Sequence, residues 1–424
     1  MCEKNLSGLL LILLSDINKI NAIMRIYKRP FLFLSIAILM NACQPKESKV
    51  AMVKKNIAHA SAQIGLQLDA IRETGKILNP YTINKDLTTR YVGIQDWTSG
   101  FFPGTMWYMY EHTGDDKWKE YGIELTESLE DVQYIKWHHD VGFMIGCSYG
   151  NAYRLTGNKD YAKVIVQASK SLISRFRDKP GIIQSWDTTN DWIISRGWKC
   201  PVIIDNMMNL EMLFEATRLT GDSTYFDIAV RHANTTMQHH FRKDYSSWHV
   251  VDYDIISGNV RQKNTAQGYS DDSAWARGQA WGLYGYTVCY RETKNPEYLE
   301  LAENIANYIL NHPNIPEDLV PYWDYNAPNI PNELRDASAA AITASALYEL
   351  SDYSSKKEYY IEKAYKIMKS LSSPVYRAEI GENNFFLLQH SVGSIPHGAE
   401  IDVPLNYADY YYLEALKRMK ELMR

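Results

Sequence analysis

The sequence predicts an all-α protein, a closed toroid of helix pairs, with an open solenoid of the same pairs as the alternative. Three observations predict it. A short turn phrase recurs along the chain, an apolar period of three and four follows each copy, and long inserts rich in Trp, Asp, Arg and His separate the copies. Helix pairs of this kind bury their faces only against neighbours, so they stack into arrays or rings.

The N-terminus reads as an address rather than as part of the fold. Met24 to Arg29 is basic, Phe31 to Met40 is apolar, and Met40-Asn41-Ala42-Cys43 follows. A basic start, a short apolar run, a small residue and a Cys are the layout of a bacterial lipoprotein signal over 24–43, with Cys43 at the lipidation position. The apolar run is short for a membrane span. Contact with a membrane is therefore expected only through a lipid anchor, and the expected location is the periplasm or the outer membrane. Residues 1–23 precede the signal and are read as an extension upstream of a start at Met24. Residues 44–55 are polar and read as a linker, leaving 56–424 as one domain.

Within that domain a first helix is expected over about 56–77. The turn phrase then appears at His112-Thr113-Gly114-Asp115, Leu155-Thr156-Gly157-Asn158, Leu219-Thr220-Gly221-Asp222 and Glu292-Thr293-Lys294-Asn295, with a fainter copy from Leu350 through Ser355 to Tyr359. It reads as one helix ending at Gly and the next capped by Asp or Asn. Tyr121, Leu125, Leu129 and Val132, and likewise Tyr161, Ile165, Ala168, Leu172 and Phe176, fall at helical spacing on one face. A last helix is expected over about 406–423, and the helices then suffice for about six pairs. The inserts 179–204 and 241–275 are where function is expected, because loops on a rigid scaffold usually carry it. Trp248 to Arg261 alternates around Ser257-Gly258-Asn259 and reads as a small hairpin.

Composition narrows the function. Asp and Glu total 50 against 45 Lys and Arg, a net charge of −5, which argues against a nucleic-acid partner. An anionic ligand would need a few local cations. The 31 Tyr and 11 Trp suit a cleft that holds sugars. Cys147, Cys200 and Cys289 are far apart in sequence and form no recognisable metal or disulfide pattern, so inert buried thiols are expected.

Two carboxylates stand out. Asp140 follows His138-His139 and Asp205 is hemmed by Ile203, Ile204 and Met207, each at the front edge of an apolar, helix-like run. Helix capping is the commoner role for an Asp so placed. An apolar surrounding, however, favours the neutral form of a carboxyl, the state a general acid needs. The adjacent pairs His138-His139 and His239-His240 would diverge on a helix, so no metal site is expected. Arg277 and Trp281 are four apart and share a helix face, suited to holding a carboxylate and a sugar ring. His249 and Gln267 could add hydrogen bonds.

Asp96 to Gly104, Trp137 to Phe143, Ile204 to Leu210 and Gln267 to Trp281 together resemble the unsaturated glucuronyl hydrolases, glycoside hydrolase family 88, over roughly 56–420. The phrases HHDVGF and IIDNMMNLEML carry most of the specificity. The resemblance implies an (α/α)6 barrel with a deep pocket on one face. It implies Asp205 as general acid and base, Asp140 as the second essential carboxylate, and substrate contacts from His139, His249, Gln267, Arg277, Trp281 and Trp97. No cofactor is implied, and the partners are acidic oligosaccharides left by polysaccharide lyases. Sulfate-preferring members use serines and a lysine in a late loop; here Ser391 to His397 places Pro396 at the lysine, which implies no strong preference for 6-sulfated sugars. Unsaturated rhamnogalacturonyl hydrolases (family 105) share the layout with a poorer fit of spacing. A non-catalytic sugar-binding lipoprotein is the rival from another class.

Overall fold

A computed structural model describes residues 48–189 and 191–423. The signal region, Cys43 and the first four residues of the expected linker, 44–47, lie outside the described residues. The chain divides into a unit Met1–Met52, of which only the last residues are described, and a compact unit Val53–Arg424.

Among the described residues the larger helices sort into six inner and six outer members. The outer helices are α1 (Lys49–Glu73), α3 (Asp116–Glu127), α6 (Lys159–Ile173), α9 (Thr224–His239), α11 (Pro296–Asn311) and α13 (Lys357–Leu371). Each buries one face and leaves the other to water. The inner helices are α2 (Phe101–Thr113), α4 and α5 (Val141–Ile145 and Asn151–Thr156, joined through a π turn at Gly146–Gly150), α8 (Leu210–Thr220), α10 (Ala276–Thr293), α12 (Ala337–Leu350) and α14 (Asn406–Glu421). These are buried nearly all round, as every residue of α12 shows. The last inner helix, α14, packs against both α12 and α2. That contact closes the ring and decides for the toroid over the open solenoid.

The turn phrase does what its residues demand. Gly114, Gly157 and Gly221 take left-handed φ of 71°, 66° and 74°, a conformation without penalty only for glycine. The following residue caps the next helix: Asp115, Asn158, Asp222 and Asn295 accept from the amides of Lys117, Asp160, Thr224 and Glu297. In the fourth copy Lys294 adopts φ 58° in place of glycine. The fainter copy at 350–359 marks the same junction without the turn, since Ser351 stays right-handed and Lys356 makes no side-chain cap.

Some boundaries differ from expectation. Residues 49–55, expected as linker, already belong to α1. The apolar periods overrun their helices: α3 ends at Glu127, so Leu129 and Val132 follow it, and Phe176 lies in β3 (Phe176–Arg177), paired with β4 (Ile182–Ile183). β1 (Asn79–Ile83) and β2 (Thr89–Val92) form another small pair, and the 179–204 insert also carries the short helix α7 (Asp191–Ser195). The hairpin is real, as β6 (Val250–Tyr253) and β7 (Val260–Asn264), but a third strand that the alternation did not reveal, β5 (Pro201–Ile203), lines its other edge. A late hairpin joins β8 (Ser391–Ser394) to β9 (Ala399–Val403). Cys147, Cys200 and Cys289 are free and buried, as expected. No helix among the described residues is long and apolar enough to cross a membrane.

Candidate active site

The singled-out residues collect where the inner helices begin. Trp97 precedes α2, Asp140 opens α4, Asp205 precedes α8, Arg277 sits in the first turn of α10, Asp336 caps α12 and Tyr407 opens α14. Helix N-termini carry partial positive charge, so their convergence favours an anionic ligand in a chain of net negative charge.

Strand pairing sets the first carboxylate. β5 runs antiparallel to β6 with Ile203 opposite Val250, and Ile204 donates its amide to the His249 carbonyl at 3.0 Å. The chain then turns into a 3₁₀ segment, Ile204–Asn209, with Asp205 beside the His249 ring. His249 Nδ1 accepts from the amides of Ala266 and Gln267 at 3.0 and 3.1 Å. Those two donors assign the neutral tautomer with its proton on Nε2, and Nε2 lies 3.6 Å from Asp205 Oδ2. Neither atom has a hydrogen-bond partner, and Asp205 is only 8% exposed.

Asp140 stands at an N-cap position yet makes no side-chain cap, and Asp205 caps nothing either. The capping role is thereby removed for both. Asp140 is held instead by Asn209, whose Nδ2 donates to Oδ1 at 3.3 Å while its own Oδ1 accepts from the Phe143 amide at 3.0 Å. A Cβ on Gly142 would stand 2.4 Å from Asn209 Oδ1, so only glycine permits this clamp. His139 Nε2 lies 3.1 Å from Asp140 Oδ1. Burial, and then the neighbouring Asp205 charge, pushes the Asp140 carboxyl well above the ordinary carboxylate range. Burial holds His139 well below the usual histidine range and His138 down at about 4.

A raised carboxyl has a stability cost with a definite sign. Between the ordinary carboxylate value and the raised one, the folded chain binds more protons than the unfolded chain, so stability falls as pH rises through that window. Asp140→Asn should therefore melt higher than wild type at neutral pH, with the difference shrinking towards pH 4. Equal melting curves at neutral pH would show that Asp140 carries no such burden.

Two expected contacts are arranged otherwise. The Arg277 guanidinium, 1% exposed, donates to the carbonyls of Val392 and Gly393 (2.7 Å for the latter) and to Asp336 Oδ2 at 3.1 Å, leaving only Nε unpartnered. It lies over Trp275 and Tyr407, at 4.5 and 5.3 Å, and not over Trp281. Trp281 is fully buried against Phe143 and Tyr411 and offers no accessible face for a sugar. The shared face of these two residues therefore supports the site from beneath. Gln267 donates to the Gly393 carbonyl at 3.2 Å, so it and Arg277 together tie down the β8–β9 hairpin, the late loop with Pro396. Trp97 remains half-buried, its ring against Phe101, Phe143 and Tyr407. Asn209, Asp336, Tyr407 and Arg175 escaped the sequence reading. Arg175 braces the loop before His138 by donating to the carbonyls of Lys136 and Gln184 at 2.7 and 2.8 Å.

Unpartnered buried polar atoms are rare in native proteins. Here they recur on His139, Asp205, His249, Arg277, Trp281, Ser391 and Tyr407. A cavity of about 600 Å³ at the other ends of the inner helices differs in this respect. Its Arg154, Arg218, Arg291 and Arg418 pair with Glu111, Glu215, Glu211 and Glu349 respectively, and neither Asp140 nor Asp205 lines it.

A helical toroid with two buried carboxyls and unpaired polar groups at one mouth is the architecture of a glycoside-cleaving enzyme. The profile of Glycosyl Hydrolase Family 88 matches residues 70–422, and the chain belongs to that family. It is 49% identical over 330 residues to the unsaturated glucuronyl hydrolase of Formosa agariphila, covering 78% of this chain and 81% of that protein. To the unsaturated chondroitin disaccharide hydrolase of Streptococcus pyogenes it is 32% identical over 371 residues, covering 85% and 89%. A crystal structure of an unsaturated glucuronyl hydrolase specific for heparin superposes with a TM-score of 0.83 at 48% identity, covering 88% of this chain and 98% of that one. These matches bear out the family 88 resemblance and the (α/α)6 barrel, over the family 105 and sugar-binding alternatives.

Proposed function

We propose that this unsaturated glucuronyl hydrolase removes the 4,5-unsaturated uronic acid from the non-reducing end of glycosaminoglycan fragments, with heparin-type disaccharides preferred. The 48% identity to a heparin-specific enzyme, against 32% to a chondroitin disaccharide hydrolase, supports the preference. Pro396, at the position where the resemblance implies a lysine in the β8–β9 hairpin, supports the absence of a strong 6-sulfate requirement.

The observation that carries the chemistry is the buried Asp140–Asp205 pair with Asp205 Oδ2 unpartnered beside His249. The substrate is a vinyl ether conjugated to a carboxylate. Protonation at carbon 4 and addition of water at carbon 5 give a hemiketal, which opens and releases the next sugar. The pair holds the proton that starts this sequence, and a desolvated carboxyl is the group able to hold it near neutral pH. Asp205 is the donor in this reading, because Asp140 is engaged by Asn209 and flanked by both histidines. No covalent glycosyl intermediate is needed.

Hydration destroys the conjugation, so ultraviolet absorbance tests the proposal directly. Unsaturated disaccharides from heparin should lose absorbance fastest, those from chondroitin more slowly, and those from pectin not at all. Fastest turnover of the pectin product would overturn the substrate assignment, and no turnover of any would overturn the activity.

The basic, apolar and Cys layout of 24–43 supports export as a lipoprotein of the periplasm or outer membrane. Cys43→Ser should move the protein from the membrane fraction to the soluble fraction or leave it unprocessed. A soluble wild-type protein that retains 24–43 speaks against the anchor.

A further inference from the structure

His138 and His139 were expected to diverge, but that expectation assumes a helix, and both lie in the loop before α4. There the two rings are nearly parallel, 8° between planes with centroids 5.4 Å apart. One nitrogen from each ring and one Asp140 oxygen fall within 4.8 Å of one another. His138 Nδ1 lies 3.6 Å from Asp140 Oδ2, and His139 Nε2 lies 3.1 Å from Oδ1. His139 is completely buried, and neither of its ring nitrogens has a hydrogen-bond partner.

We propose that His138, His139 and Asp140 form a binding site for one divalent transition cation of the zinc class, and that occupation of this site shuts the enzyme off. Two imidazole nitrogens with one carboxylate oxygen are a donor set for zinc, nickel or copper. Magnesium and calcium want more oxygens than are offered here. Ligands around a tetrahedral zinc stand about 3.3 Å apart. The two histidine–carboxylate separations, 3.6 and 3.1 Å, lie on either side of that value, though to different oxygens, and the three donors within 4.8 Å of one another need side-chain rotations to converge on one ion, with a fourth position left open. Binding through His138 Nδ1 displaces only the hydrogen bond that the Asp140 amide donates to it at 3.1 Å. The chemical consequence is direct. An Asp140 carboxylate engaged by a cation is no longer free to act beside Asp205.

The inhibitory half of this inference rests on Asp140 belonging to the catalytic pair; the binding half does not. The test uses the purified protein, stripped with EDTA and then freed of it. Zinc binding is measured by competition with a chromophoric chelator, and activity by loss of ultraviolet absorbance from the unsaturated disaccharide. One zinc should bind per chain, and the rate should fall along the same titration curve, while magnesium at equal concentration changes nothing. In His138→Asn the amide oxygen still accepts from the Asp140 amide, but a strong ligand is lost. Binding, and inhibition scored against the variant's own zinc-free rate, should weaken together by at least tenfold. Absence of tight zinc binding, or a midpoint unmoved by His138→Asn, overturns the site. Stoichiometric binding that leaves the rate untouched overturns the inhibition. If the stripped protein shows no hydrolysis at all, the proposed activity fails, while zinc stoichiometry in wild type and His138→Asn still decides the site.

Discussion

Asp205→Asn is expected to lower turnover by about a hundredfold or more while leaving substrate affinity nearly unchanged. The asparagine has the shape of the aspartate and can still meet His249 Nε2–H across the same gap, so the fold and the pocket survive. What it lacks is a proton to deliver to carbon 4. Wild-type rate should fall as pH rises through the raised range of the Asp140 carboxyl, and that limb should lie at lower pH in any residual rate of the variant. The same change removes a negative charge that helps to push the Asp140 carboxyl upward, so Asp140 should titrate lower in Asp205→Asn than in wild type. In deuterated water the new hydrogen at carbon 4 should be deuterium. A folded Asp205→Asn protein with near wild-type turnover transfers the donor role to Asp140.

Arg277→Ala should strike stability harder than a substrate-contacting arginine would. Asp336 and Arg277 are both buried, at 0% and 1% exposure, and the alanine leaves that carboxylate without its cation. Breaking one partner of a buried pair costs about 3–5 kcal/mol. The Val392 carbonyl loses the Arg277 donor as well and the Gly393 carbonyl keeps only Gln267, which loosens the β8–β9 hairpin. The expected result is a large fall in melting temperature together with weakened substrate binding, partly restored by Arg277→Lys. A variant that keeps its melting temperature and loses only affinity would return Arg277 to direct contact with the uronate.

The ring was legible in the sequence because its turn phrase has physical demands that few residues meet: a left-handed position and an oxygen to cap the next helix. Lys294 shows the limit of that rule, since the turn survives there without glycine. Asp140 and Asp205 could be picked out by their apolar neighbours. Excluding the capping role required knowing that neither side chain reaches a helix amide. Arg277 and Trp281 illustrate a failure of spacing alone. Long side chains on a helix lean towards its N-terminus, so Arg277, in the first turn of α10, covers Trp275 and reaches Tyr407 instead of resting on Trp281. Asn209, Asp336 and the Gly393 carbonyl were invisible because their partners are remote in sequence and nothing in local pattern encodes such pairings. The adjacency of His138 and His139 misled for a related reason: a helical period says nothing about rings in a loop.

The packing of α14 against α2 has a consequence for the order of events on the ribosome. The first inner helix of the barrel is made early, yet the neighbour that completes its burial lies far later in the chain. Asn406 donates to the carbonyls of Pro80 and Thr98, and Tyr407 covers Trp97, so the pocket wall built from the early chain stays open until the tail arrives. Contacts of such long sequence separation are slow to form, and a nascent chain that lacks them exposes apolar helix faces meanwhile. Clipping the final helix should thus cost far more than its length suggests, because it removes the joint rather than an end.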